Sequence, residues 1–106
     1  MTLRHVVCLT WKPGTDTAAI DAVTEALAAL PGAIPELDRS RYHFGPDLAL
    51  LDANADFAIV GDFPDVAAWT RYQEHPEHQR MLAGLIRPIL ASRVAVQISL
   101  SAESDR

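Results

Sequence analysis

From Leu3 to Trp11 the chain alternates, with Leu3, His5, Val7, Leu9 and Trp11 on one side and Arg4, Val6, Cys8 and Thr10 on the other. A period of two predicts a β-strand, and the apolar character of both sides predicts that both faces are covered. Lys12-Pro13-Gly14 reads as a turn. Thr15 or Asp16 then caps a helix expected to run to about Leu30, because Ile20, Val23, Leu27 and Leu30 recur at spacings of 3, 4 and 3 and form one stripe. Pro31-Gly32 is expected to end it.

Glu36 to Gly45, polar at Asp38, Arg39, Ser40 and Arg41, reads as a second strand, and Pro46 to Asn54 as a loop. Alternation returns from Asp56 to Phe63, with Phe57, Ile59, Gly61 and Phe63 on one face. A short helix follows through Tyr72. Pro76 cannot continue that helix, yet it suits the first position of a new one. Met81, Leu82, Leu85, Ile86 and Ile89 carry the new helix to about Ala91, with a kink expected at Pro88. Val94 to Leu100 reads as the last strand and 101–106 as a frayed polar tail.

The order β-α-β-β-α-α-β is the split βαβ pattern of a ferredoxin-like α+β fold, one domain over 1–106 with an antiparallel sheet and its helices on one side. Val6, Cys8, Ala58, Val60, Val94, Val96 and Ile98 leave apolar side chains for a second layer to cover. A second copy of the same sheet is the simplest cover, which predicts a homodimer through sheet faces with a barrel-like centre.

A chain of 106 residues buries only about two-thirds of its unfolded surface, so dimerisation would add core. Nine Lys and Arg against 14 Asp and Glu give a net charge of −5 with no basic cluster, which argues against nucleic acid and anionic membranes as partners. Cys8 is the single cysteine, so no internal disulfide or Cys-based zinc site is available, and its apolar strand suits a structural thiol. No run approaches the ~18 apolar residues of a membrane helix, and the expected setting is the cytoplasm.

Candidate chemistry concentrates in Tyr72-Gln73-Glu74-His75-Pro76-Glu77-His78, which places one phenol and two imidazoles in seven residues around a helix-starting proline. His5 on the first strand is a third imidazole. With His75 as N-cap and Pro76 as the first helical residue, His78 falls in the first helical turn. The positive helix end and burial both disfavour imidazolium there. A neutral His78 is a candidate general base for a proton alpha to a carbonyl, with Tyr72 as donor to the developing enolate oxygen. The same cluster also reads as structure: His75 capping a helix, His78 bonding a backbone group, Tyr72 anchoring one helix on the next. Pro76 breaks the register between His75 and His78, so no metal is expected. The absence of a glycine-rich phosphate loop argues against a nucleotide cofactor, and none is expected.

Three segments carry a resemblance: Arg4-His5-Val6-Val7-Cys8-Leu9-Thr10-Trp11-Lys12-Pro13-Gly14, Asp56-Phe57-Ala58-Ile59-Val60-Gly61-Asp62-Phe63, and Tyr72-Gln73-Glu74-His75-Pro76-Glu77-His78, with Leu85-Ile86-Arg87-Pro88 in addition. The chain resembles the Dabb family, the stress-responsive dimeric α+β barrel proteins, over nearly its whole length. The resemblance implies the dimeric barrel. Through plant polyketide cyclases of that family, it also implies cofactor-independent carbon–carbon bond formation in a pocket between sheet and helices. Carried over by position, Tyr72 and His78 are the catalytic pair, with His5 beside them, and Val7, Leu9, Ile59 and Gly61 line the pocket. Leu27, His75, Met81 and Leu82 complete the expected substrate-binding wall. The expected function is therefore a cyclase, isomerase or lyase acting by proton transfer on a small hydrophobic carbonyl or polyketide-like compound. The rival expectation is a non-catalytic, stress-responsive protein that binds a small ligand in the same pocket.

Overall fold

The computed structural model describes residues 2–100. The polar tail expected to fray lies outside the described residues. Strand β1 (Thr2–Trp11) buries every second side chain, and strand β3 (Phe57–Phe63) does the same. Strand β2 (Tyr42–Pro46) and strand β4 (Leu90–Leu100) complete a four-stranded sheet in the order β2-β3-β1-β4, with every pairing antiparallel. This is the ferredoxin-like α+β arrangement.

Helix α1 (Thr17–Ala33) starts where the Asp16 carboxylate accepts from the Ala19 amide at 2.9 Å. It seats Val23, Leu27 and Leu30 in the core. The helix passes through Pro31 rather than stopping there. Proline forfeits one intrahelical bond, and one turn from the end that loss is tolerated. The Ile34 amide still reaches the Leu30 carbonyl at 2.8 Å, and Ile34 is fully buried.

The expected second strand is shorter than its sequence suggested. The Asp38 side chain accepts from the Ser40 amide at 3.0 Å and caps a 3₁₀ turn over Arg39–Arg41, so the backbone takes a local bond in place of a ladder bond. Only from Tyr42 does pairing with β3 begin.

Helix α2 (Val66–Glu74) is capped by Asp65, whose carboxylate accepts from the Ala68 amide at 2.8 Å. Helix α3 (Pro76–Met81) follows at once. It does not continue to Ala91. The chain widens into a π turn over Leu82–Ile86, tightens into a 3₁₀ turn over Arg87–Ile89 around Pro88, and enters β4 at Leu90. The early start of β4 follows from pairing: Leu90 opposes Trp11, and the Lys12 amide donates to the Ile89 carbonyl at 2.8 Å.

All helices lie on the face that carries Leu3, His5, Val7, Leu9 and Trp11 of β1, and the core sits between. The opposite face has no cover within the chain. Val94, Val96 and Ile98 are 71%, 51% and 45% exposed there, beside half-buried Val6, Cys8, Ala58 and Val60. On the same face the Arg4 guanidinium grips Asp62 with two bonds of 2.7 and 2.9 Å. Among the described residues no helix is long and apolar enough to cross a membrane.

Candidate active site between the sheet and the helices

Strand alternation aims His5, Val7 and Leu9 of β1 and Ile59 of β3 at the helices. The end of α2 delivers Tyr72 and Gln73, α3 delivers His78 and Met81, and the π turn delivers Leu82 and Ile86. With Arg87, Leu90 and Arg93 these side chains enclose a cavity of about 260 Å³.

Tyr72 is 2% exposed and forms the aromatic centre of the site. Its ring centroid lies 4.3 Å from that of His78, 5.0 Å from Phe63 and 6.2 Å from His5. Burial pushes its phenol up, with Tyr42 and Arg93 pulling back, so the hydroxyl remains a donor at neutral pH. Tyr42 stands edge-on to Tyr72 at 6.4 Å, its buried hydroxyl near the Tyr72 hydroxyl without closing to a hydrogen bond of ordinary geometry. Trp69, edge-on to His5 at 5.9 Å, likewise buries its indole Nε1 without one.

The two buried histidines hold opposite tautomers. His78 is 4% exposed, and its Nδ1 lies 3.2 Å from the Gln73 carbonyl oxygen. A carbonyl only accepts, so His78 donates from Nδ1, and its Nε2 carries a lone pair when the ring is neutral. His5 is 2% exposed, and the Gln97 side-chain nitrogen stands 2.9 Å from its Nδ1. That nitrogen donates, so His5 accepts at Nδ1 and its proton sits on Nε2. Burial, reinforced by the Arg93 cation and by His78, holds the His5 pKa down to about 4. Burial also lowers His78, with Arg93, Arg87 and His75 adding to it, although the Gln73 carbonyl opposes the shift. Both imidazoles are thus neutral at pH 7.

His5, Val7, Leu9, Ile59, Tyr72, His78, Met81 and Leu82 all come together on the cavity wall. Three expected wall residues do not. Leu27 is fully buried in the core under α1. Gly61 lies against the Tyr42 ring; a Cβ there would stand 3.1 Å from Tyr42 Cδ1, so its bare backbone is what admits that ring. His75 is the N-cap of α3, and its Nδ1 accepts from the Glu77 amide at 3.1 Å, which commits the ring to the helix junction.

Arg93, Arg87, Gln73, Ile86 and Leu90 also line the cavity and were not anticipated. The signal for Arg93 was strand parity: in register it opposes Leu9, which faces inward. Reading it required β4 to start at Leu90. Among the described residues no group of three or more His, Cys, Asp or Glu side chains is placed to hold a metal ion.

The profile of the Dabb family, the Stress responsive A/B Barrel Domain, matches residues 3–100. No protein of curated function matches the chain. A dimeric ferredoxin-like protein of unknown function from Thermobifida fusca is 43% identical, with 94% of this chain and 92% of that one covered and a TM-score of 0.85. A Dabb family protein with a ferredoxin-like fold from Mesorhizobium loti is 19% identical over 95% and 98% of the two chains, with a TM-score of 0.78. Hydroxynitrile lyase from Passiflora edulis is 19% identical over 95% and 94%, with a TM-score of 0.81. A family match spanning almost all of the chain, on a sheet and helices of the expected topology, makes this protein a member of the Dabb family of stress-responsive A/B barrel domains.

Proposed function

We propose that the protein is a cofactor-independent enzyme that moves a proton on a small, largely apolar carbonyl compound, in a lyase, isomerase or cyclase reaction. The carrying observation is the pair of buried neutral histidines held in opposite tautomers beside a buried phenol on one cavity wall. The His78 Nε2 lone pair accepts a proton from the carbon next to the carbonyl. The electrons of that C–H bond move to the carbonyl oxygen, which accepts a hydrogen bond from Tyr72. His5, with its proton on Nε2, is the second donor of the site.

Apolar walls of Val7, Leu9, Ile59 and Leu90 keep the charge development in a dry space, where each hydrogen bond to the oxygen counts for more. A volume of about 260 Å³ lies just below the roughly 300–1,000 Å³ of drug-sized sites, and so favours a compact substrate over a long one. The same fold carries a lyase in Passiflora edulis. The protein works as a homodimer joined through the outer sheet face, a reading supported by exposed Val94, Val96 and Ile98 and by the dimeric Thermobifida fusca relative.

The test is deuterium incorporation next to the carbonyl of small aryl ketones and aldehydes in heavy water, followed by NMR. The wild-type protein is expected to accelerate exchange, and His78→Ala to remove about 10²–10⁴-fold of it. Tight binding of these compounds with no accelerated exchange would leave a binding protein in place of an enzyme.

A further inference from the structure

The charge of the cavity wall is out of keeping with the rest of the chain. The protein carries a net charge of −5, yet the residues lining the cavity include no Asp or Glu and two arginines, Arg87 and Arg93. Arg71 and Arg80 each hold a carboxylate, as does Arg4 on the outer face. The side chains of Arg87 and Arg93, both exposed at the cavity mouth, make neither a salt bridge nor a hydrogen bond among the described residues. Both stand near enough to bias the titration of His78, and Arg93 also acts on His5 and Tyr72. The two guanidiniums therefore face the same volume as the proton-transfer groups. Arg87 opens the 3₁₀ turn before β4, and Arg93 is set inward by its register with Leu9 across the sheet.

A pair of planar cations without acidic partners, beside an apolar chamber, suits one ligand chemistry above others. We infer that the substrate is a small oxo acid with an apolar body, whose carboxylate is held by Arg87 and Arg93 while its carbonyl lies at Tyr72 and His78. The binding half of this inference needs only the cavity; the carbonyl placement rests on the proton-transfer reading given above. Neutralising the nearest cations with a carboxylate has a second effect. It removes repulsion from the protonated form of His78, so the base strengthens when the substrate is seated.

Phenylpyruvate and phenylacetone form a matched pair of probes, one with a carboxylate and one without. Calorimetric or NMR titration of the full chain is expected to show the acid binding at least about tenfold more tightly. That advantage should shrink as ionic strength rises. The ratio of the two dissociation constants should approach one in the double variant Arg87→Gln/Arg93→Gln. The His78 ring titration should move upward with phenylpyruvate and stay in place with phenylacetone. Equal affinity for the two probes in the wild-type protein overturns the inference, as does an acid preference that survives both substitutions. If the double variant does not fold, the wild-type ratio and its salt dependence decide. Deuterium exchange on phenylacetone without any acid preference sinks this inference alone. Acid preference with no exchange on either probe upholds the carboxylate site and sinks both the carbonyl placement and the enzymatic reading.

Discussion

Gln97 on β4 reaches across to His5 on β1, its amide nitrogen 2.9 Å from the imidazole Nδ1, and that one bond selects the His5 tautomer. Gln97→Glu replaces the donor with an anion that accepts from Nδ1. A neighbouring carboxylate favours imidazolium, so the His5 titration, held at about 4 in the wild-type protein, should move upward. NMR titration of the ring protons checks this. An unmoved midpoint would mean that the bond at Gln97 does not govern the ring.

Neutral burial of two histidines makes folding stability depend on pH. The unfolded His5 binds a proton below its ordinary 6.5, whereas the folded one resists until about 4. Between those values the unfolded chain holds more protons, so stability rises with pH. It is fully present above about 6.5, falls as the pH drops, and levels off below about 4. The His5 contribution alone corresponds to up to about 3 kcal/mol, and the lowered His78 acts in the same direction. Urea melts across this range should show the loss, and His5→Gln should flatten the slope. Asp62 acts in a separate window: Arg4 holds its carboxyl below the usual range, so its contribution is present above that range and is lost only in stronger acid.

Gly61→Ala would place a Cβ 3.1 Å from Tyr42 Cδ1 and 3.4 Å from Phe63 Cε2, against two buried rings. The better strand propensity of alanine is outweighed by overpacking, and a loss of about 1–2 kcal/mol in chemical denaturation is expected. Unchanged or higher stability would show that the Tyr42 ring has room to yield.

Val96→Glu puts a charge at the middle of the uncovered sheet face. In a two-fold dimer every substitution enters the interface twice. Sedimentation of the variant should show dimer dissociation at least about tenfold easier than in the wild-type protein. A dimer of unaltered strength would move the interface to another surface.

Parts of the architecture were legible because two signals coincided. In β1 and β3 the period of two met apolar residues on both faces, and the strands lie where that pattern placed them. At Glu36 to Arg41 the expected strand gave way, because Asp38 caps the Ser40 amide locally in place of a ladder, and only geometry decides that contest. The long helix expected after Pro76 misled for a related reason. An apolar stripe at helical spacing fits an α-helix, a π turn and a 3₁₀ turn alike until the pairing of Leu90 with Trp11 ends the run. The candidate site followed the same division. His5, Tyr72 and His78 could be named from residue chemistry, but Arg93 could not, because its inward direction depends on a strand beginning at Leu90 rather than Val94. Gly61 shared the parity of wall residues, yet with no side chain of its own the space went to Tyr42.

The π turn over Leu82–Ile86 amounts to one surplus residue in an otherwise α-helical path. Removing that residue would restore α geometry, and because the wide turn already absorbs the extra residue, the chain on either side would keep its facing. The change would be confined to the turn that supplies Leu82 and Ile86 to the cavity wall, while His78, upstream of it, would stay. A single-codon deletion near Gly84 is therefore enough to reshape the wall built by that turn without moving Tyr72 or His78. The loosened coil is thus a stretch of the cavity wall whose shape can change by a residue while the strands and α3 hold still.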